Sequence, residues 1–299
     1  MTDLAISISG KALFNVDFGS KAAELGDALV TVLQATRFNN LALASKQFEK
    51  ISLPSHRRFA RAAKKLDTEI RAMIAERRKG ACEDPDLLSV MMRLHKQSRK
   101  GITEQKIRDQ IMTFFMVGNE TPATGSMWTW YLLAENPEVA TKLHDEVDHV
   151  LGDRLPSGQD FDRLRYTRMV FAESMRLYPP VWLMTRRAVR DTKINGFVIR
   201  SGSYVHVSPF VTHRNTRYFP DPERFEPERW TPEAVATRPK FSYFRLVEAA
   251  CNVLAKALPG WREFWCWQFC GAPGISNCCC AKARRSIPPS RYEPGDRCR

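Results

Sequence analysis

The sequence has 299 residues, 43% of them hydrophobic and 26% charged, with a formal net charge of +13. This is a globular composition, which excludes disorder throughout and collagen-like structure, and no apolar run reaches the roughly 18–20 residues that span a bilayer. The basic excess raises nucleic acid as a partner, but residues 1–244 hold no basic run with interleaved aromatics, so it reads as a solvated surface.

The N-terminus, Met1 to Phe14, has no basic segment followed by an apolar stretch, so no secretory leader is expected. Residues 59–79 predict an amphipathic helix. Phe59, Ala63, Leu66, Ile70, Met73 and Ile74 recur at spacings of three and four among Arg and Lys. Leu87 to Leu94 predicts a shorter helix. A long helix of about 30 residues, roughly 45 Å, starts at Thr103, a good N-cap, and runs through Ile107, Ile111 and Phe115 to Leu133. Its middle reads Gly118-Asn119-Glu120-Thr121-Pro122. Gly and Pro both weaken a helix interior, Pro by about 3 kcal/mol, so a break is expected there.

Asn136-Pro137 starts the next helix and Gly152 ends it. A further helix covers about Thr167 to Leu177 and stops at Tyr178-Pro179-Pro180. Ile194-Asn195-Gly196-Phe197 predicts a hairpin turn, and Tyr204 to Val207 a strand. The fold class is therefore mainly α with a small β element.

Glu173 and Arg176 lie at i and i+3 on one helix face. Alone they are an ordinary surface pair. Some 40–50 residues on comes Phe219-Pro220-Asp221-Pro222-Glu223-Arg224-Phe225-Glu226-Pro227-Glu228-Arg229-Trp230. Its spaced prolines prevent regular structure, and its charged residues need partners. A helix pair that receives Arg224 makes a buried three-membered network.

Four motifs in order then carry a resemblance. Gly118-Asn119-Glu120-Thr121 resembles the oxygen-activating segment of the cytochrome P-450 family of haem-thiolate monooxygenases. Glu173-x-x-Arg176 with Leu177-Tyr178-Pro179-Pro180 resembles its ExxR helix. Thr185-Arg186-Arg187-Ala188 resembles the segment whose Arg meets a haem propionate. Pro222-Glu223-Arg224-Phe225 resembles its PERF segment. The resemblance covers about residues 10–244 and implies a partial cytochrome P-450 fold lacking the family's N-terminal third.

The resemblance also implies roles. Glu120 and Thr121 relay protons to oxygen, and Gly118 is a cofactor-binding position. Arg186, or alternatively Arg187, pairs with a propionate. Glu173, Arg176 and Arg224 hold the core below the haem, and Val181 to Met184 line the pocket of a small apolar substrate. Haem b is the implied cofactor, and a reductase or ferredoxin the implied electron donor. With a single cysteine in the first 250 residues and no transmembrane segment, a cytoplasmic location is expected. His206 and His213 read as structural.

Seven of the eight cysteines follow residue 250. After Phe244 the resemblance calls for a glycine-rich loop with the axial Cys. The sequence instead reads Arg245-Leu246-Val247-Glu248-Ala249-Ala250-Cys251-Asn252, with no glycine. Joining the last base of each codon to the first two of the next yields a string resembling that loop and the helix behind it. Over Phe264 to Gln268 the shifted reading has no degeneracy and gives Leu-Val-Leu-Ala. Residues 1–244 are thus expected to be a partial cytochrome P-450 domain, and 245–299 an out-of-frame, unstructured tail. The axial Cys is absent in this frame, so haem is not expected to bind stably. A non-enzymatic remnant is one alternative. A Cys-rich metal-binding protein is the other, but Cys266, Cys270 and Cys278 to Cys280 lack the paired chelating turns of a closed zinc site.

Overall fold

The structure, a computed structural model, describes residues 2–42, 54–79, 86–97 and 103–244. Among these the chain is mainly helical. Helices α1 (Thr2–Phe14), α3 (Pro54–Lys79) and α4 (Leu87–Gln97) pack on α5 (Glu104–Glu135), and α2 (Lys21–Ala42) packs on α1 and α3. Helices α6 (Pro137–Leu151) and α7 (Arg165–Leu177) pack on the second half of α5. Two antiparallel ribbons follow: β1 (Met184–Arg187) with β4 (Tyr204–Val207), and β2 (Thr192–Ile194) with β3 (Phe197–Ile199). Short helices α8 (Pro209–Thr212) and α9 (Pro232–Thr237) flank a 3₁₀ turn, Pro227–Trp230. Residues 245–299 and Cys82 lie outside the described residues, and with them the expected boundary, the tail and every cysteine.

The local rules hold where they are strongest. The Thr103 hydroxyl accepts from the Lys106 amide, capping α5. Pro137 opens α6, and Gly152, at φ +56°, closes it. Asn195 and Gly196 both take positive φ, 47° and 87°, which lets Ile194 pair with Phe197 across a two-residue turn.

Helices α1 and α2 are additions to the sequence reading. Their buried positions, Ile6, Ser9 and Leu13, then Ala22, Leu25, Leu29 and Val32, have the three-and-four spacing that would have found them. Small residues at 5, 22 and 28 blur the contrast.

The expected break in α5 does not occur. The helix runs for 32 residues, about 48 Å, with Pro122 buried inside it. Proline removes the donor that would meet the Gly118 carbonyl, but packing on both sides holds the flanks. Before it, Asn119 is buried against α1, where Ser9 Oγ donates to its Oδ1, while its Nδ2 donates to the Phe115 carbonyl. After it, a Cβ added at Gly125 would lie 3.4 Å from the Phe171 ring of α7. Tertiary contact along the whole helix outweighs the local cost of about 3 kcal/mol.

Candidate functional site

The most tightly built polar site lies between α7 and the irregular segment 213–230. Glu173 and Arg176 are both fully buried there. Their helical spacing gives a bidentate pair: Arg176 Nε donates to Glu173 Oε2 and Nη2 to Oε1, each at 2.9 Å. The three remaining guanidinium hydrogens go to main-chain carbonyls. Nη1 donates to His213 O (2.9 Å) and Pro222 O (2.7 Å), and Nη2 to Arg224 O (3.1 Å). All five donors of Arg176 are thus used. Glu173 is equally satisfied, since Oε1 also accepts from the Glu226 amide (3.1 Å) and Oε2 from Trp230 Nε1 (2.8 Å).

The second guanidinium at Glu173 is Arg229, not Arg224. Arg229 Nε lies 3.5 Å from Glu173 Oε1, and its Nη2 reaches Glu226 Oε2 at 2.8 Å. Arg224 is exposed and enters through its carbonyl alone. The cause is visible in the chain: Pro-Glu-Arg-aromatic occurs twice, at 222–225 and 227–230. The 3₁₀ turn of the second copy buries Trp230 and carries Arg229 inward. Two carboxylates and two guanidiniums then balance, which keeps the buried cluster near neutral.

Aromatic rings seal this cluster. Arg238 stacks on Trp230 and Phe219, at 4.4 and 4.9 Å from the ring centres, and donates to the Arg229 carbonyl. Burial lowers its pKa below the ordinary guanidinium value. His213, 1% exposed, lies beside Tyr243, with ring centres 4.7 Å apart. Its Nε2 faces the Phe244 amide at 2.9 Å and its Nδ1 the Arg176 carbonyl at 3.3 Å. Burial, with help from Arg176, Arg214 and Arg238, lowers its pKa to about 4, so the ring is neutral at pH 7. Sequence reading named neither Arg238 nor Tyr243, because each acts through contacts remote in the chain.

The second group is the middle of α5. Gly118 faces α1, where an added Cβ would lie 3.2 Å from Leu13, so helix packing uses its missing side chain. Thr121 is half-buried, and its hydroxyl donates to the Val117 carbonyl (2.9 Å). Glu120 lines a cleft with Ala123 and Thr124 that Leu29 and Leu33 of α2 help to close. One turn beyond, the segment after α7 crosses α5. Tyr178 stacks on Trp128 at 4.1 Å, and Pro180 approaches Gly125. This brings Val181, half-buried, next to the crossing, and Met184, also half-buried, opens β1. Arg186 and Arg187 project from β1 and are exposed. His206 is exposed and hydrogen-bonded to Thr185 (2.9 Å). No group of three or more His, Cys, Asp or Glu among the described residues is placed to hold a metal ion. No helix among them is long and apolar enough to cross a membrane.

Comparison with known proteins fits this arrangement. The family profile for cytochrome P-450 matches residues 1–244. The chain is 36% identical over 246 residues to cyclooctatin synthase of Streptomyces melanosporofaciens, covering 81% of this chain and 53% of that protein. It is 39% identical over 183 residues to cyclooctat-9-en-7-ol 5-monooxygenase of the same organism, 61% of this chain and 40% of that one. The crystal structure of a cytochrome P450DA heme domain superposes with a TM-score of 0.73 at 23% identity, over 88% of this chain and 59% of that one, a likeness of fold. The chain spans about half the length of the curated relatives it matches.

Proposed function

The chain belongs to the cytochrome P-450 family, and we propose that its described residues are the core of a haem-dependent monooxygenase that inserts one oxygen atom of O2 into an apolar substrate. The observation that carries this reading is the fully satisfied Glu173–Arg176 pair, closed by Arg229 and Trp230. A buried ion pair contributes little net stability, whereas it fixes one geometry for the chain that crosses it. Here it fastens α7 to the segment leading to residue 244. In this reading Glu120 and Thr121 move protons on the α5 side. Arg186, with Arg187 as the alternative, meets a propionate, and Val181 and Met184 line the pocket. A cytoplasmic location and a reductase or ferredoxin as electron donor belong to the same proposal.

Haem, when bound, supplies the oxygen chemistry, and it needs an axial thiolate. The donor set of the described residues does not offer one. None is a cysteine, and His213, the buried imidazole, has both nitrogens engaged. The exposed Arg186 and the α5 face suit the family's cofactor, and all eight cysteines lie outside the described residues. We propose that this polypeptide is not catalytically competent, because residues from about Arg245 are read out of frame.

The test is the carbon-monoxide difference spectrum of the reduced, haem-reconstituted chain. No thiolate band is expected from the chain as it stands. Restoring the shifted frame after residue 244 is expected to return thiolate ligation in part. A stoichiometric thiolate spectrum with turnover, lost on Cys251→Ser, overturns the reading.

A further inference from the structure

The His213 imidazole is a buried titratable group that the Glu173–Arg176 network does not use, although the carbonyl of the same residue accepts from Arg176. The ring sits 1% exposed against Tyr243, Phe219 and Phe244. An amide N–H can only donate, so Nε2, 2.9 Å from the Phe244 amide, must be the unprotonated nitrogen. In a neutral ring the proton is then on Nδ1, 3.3 Å from the Arg176 carbonyl, which can only accept. Both partners therefore select one tautomer independently.

The chemistry of the bridge follows. Arg176 Nη1 donates to the His213 carbonyl while His213 Nδ1 donates to the Arg176 carbonyl. The two residues are doubly tied. From this anchor, the ring presents one acceptor to the backbone at 244. We propose that His213 is a positioning residue: a neutral imidazole, protonated on Nδ1, that couples the last residue of the Glu173–Arg176 motif to the Phe244 amide and so holds the backbone at residue 244. The inference rests on the proposed function for one point only, that residue 244 leads to the thiolate ligand in the restored frame. The tie itself does not depend on haem.

The surroundings keep the ring neutral. It is buried, Arg176, Arg214 and Arg238 act on it, and the Tyr243 ring packs beside it. Protonation at Nε2 would set an N–H against the Phe244 N–H and remove the acceptor.

The experiment uses the full chain without haem, with 15N-labelled histidine and phenylalanine. The 15N shifts of His213 are expected to report the Nδ1–H tautomer, unchanged from pH 8 to pH 5.5. An Nε2–H tautomer, or a midpoint near the ordinary 6.5, overturns the proposal. In His213→Phe, exchange of the Phe244 amide is expected to rise about tenfold, as for the loss of one hydrogen bond. The Phe171 amide, inside α7, is expected to change less than about threefold in the same sample. An equal rise at both sites makes His213 merely a packing residue and also overturns it. Neither readout uses haem, so a result against His213 is separable from a carbon-monoxide spectrum that goes against the proposed function.

Discussion

Replacing Arg229 and Arg224 separately by Met distinguishes the two copies of the Pro-Glu-Arg unit. Met keeps most of the aliphatic stem, so the comparison isolates the guanidinium. Arg229 Nε lies 3.5 Å from Glu173 Oε1, a gross attraction of about 5 kcal/mol at an effective dielectric near 20. Its Nη2 also bonds Glu226 Oε2 (2.8 Å) and the Asp221 carbonyl (3.1 Å). Desolvation of the arginine offsets part of this, and Glu173 keeps Arg176 in the variant. The net loss for Arg229→Met is expected to be about 2–4 kcal/mol. Arg224 is exposed, and its bond to Arg176 comes from the backbone, which the substitution retains. Arg224→Met is expected to cost no more than about 0.5 kcal/mol. Urea unfolding followed by far-ultraviolet circular dichroism reads the difference. With a slope of about 2 kcal/mol/M, the midpoints separate by about 1–2 M. If Arg224→Met costs as much as Arg229→Met, the assignment of the inward arginine is wrong.

Acid adds a second test. The pKa of His213 is lowered from 6.5 to about 4 in the folded chain. Between these values the unfolded chain takes up a proton that the folded one refuses, so stability falls as pH drops from about 6.5 to 4, by on the order of 3 kcal/mol. His213→Phe removes that slope, and urea midpoints across this pH range check it. Asp160→Asn is expected to cost about 1–3 kcal/mol in the same denaturation assay, because the buried carboxylate accepts from Arg154 and from the Ser157 amide and hydroxyl. Gly10→Ala is expected to lower the thermal midpoint, at a cost of about 1–3 kcal/mol. Its Cβ would sit 2.5 Å from the Phe18 ring and 2.9 Å from the Val16 carbonyl, and the backbone oxygen cannot move aside cheaply. An unchanged midpoint would mean that α1 and the loop after it are packed otherwise.

What the sequence determined by itself is the set of features with local causes. A hydroxyl three residues before an amide caps α5 at Thr103. Asn195-Gly196 supplies the two positive φ angles of a tight turn. Glu173 and Arg176, three apart on a helix, meet because helical spacing leaves them little choice. The order of these motifs was enough to identify the family. Tertiary structure decided whatever depended on segments far apart in the chain. The sequence holds two equivalent Pro-Glu-Arg units, and only the burial of Trp230 under Arg238 chooses Arg229. Pro122 predicts a break that packing on α1 and α7 overrides. His213, read as merely structural, acquires a role because Arg176 and Phe244, 37 residues before it and 31 after it, converge on its two nitrogens. Spacing fixes neighbours within a helix or a turn. Which distant donors and acceptors are buried together is settled only when the whole core closes, since each must find a partner there.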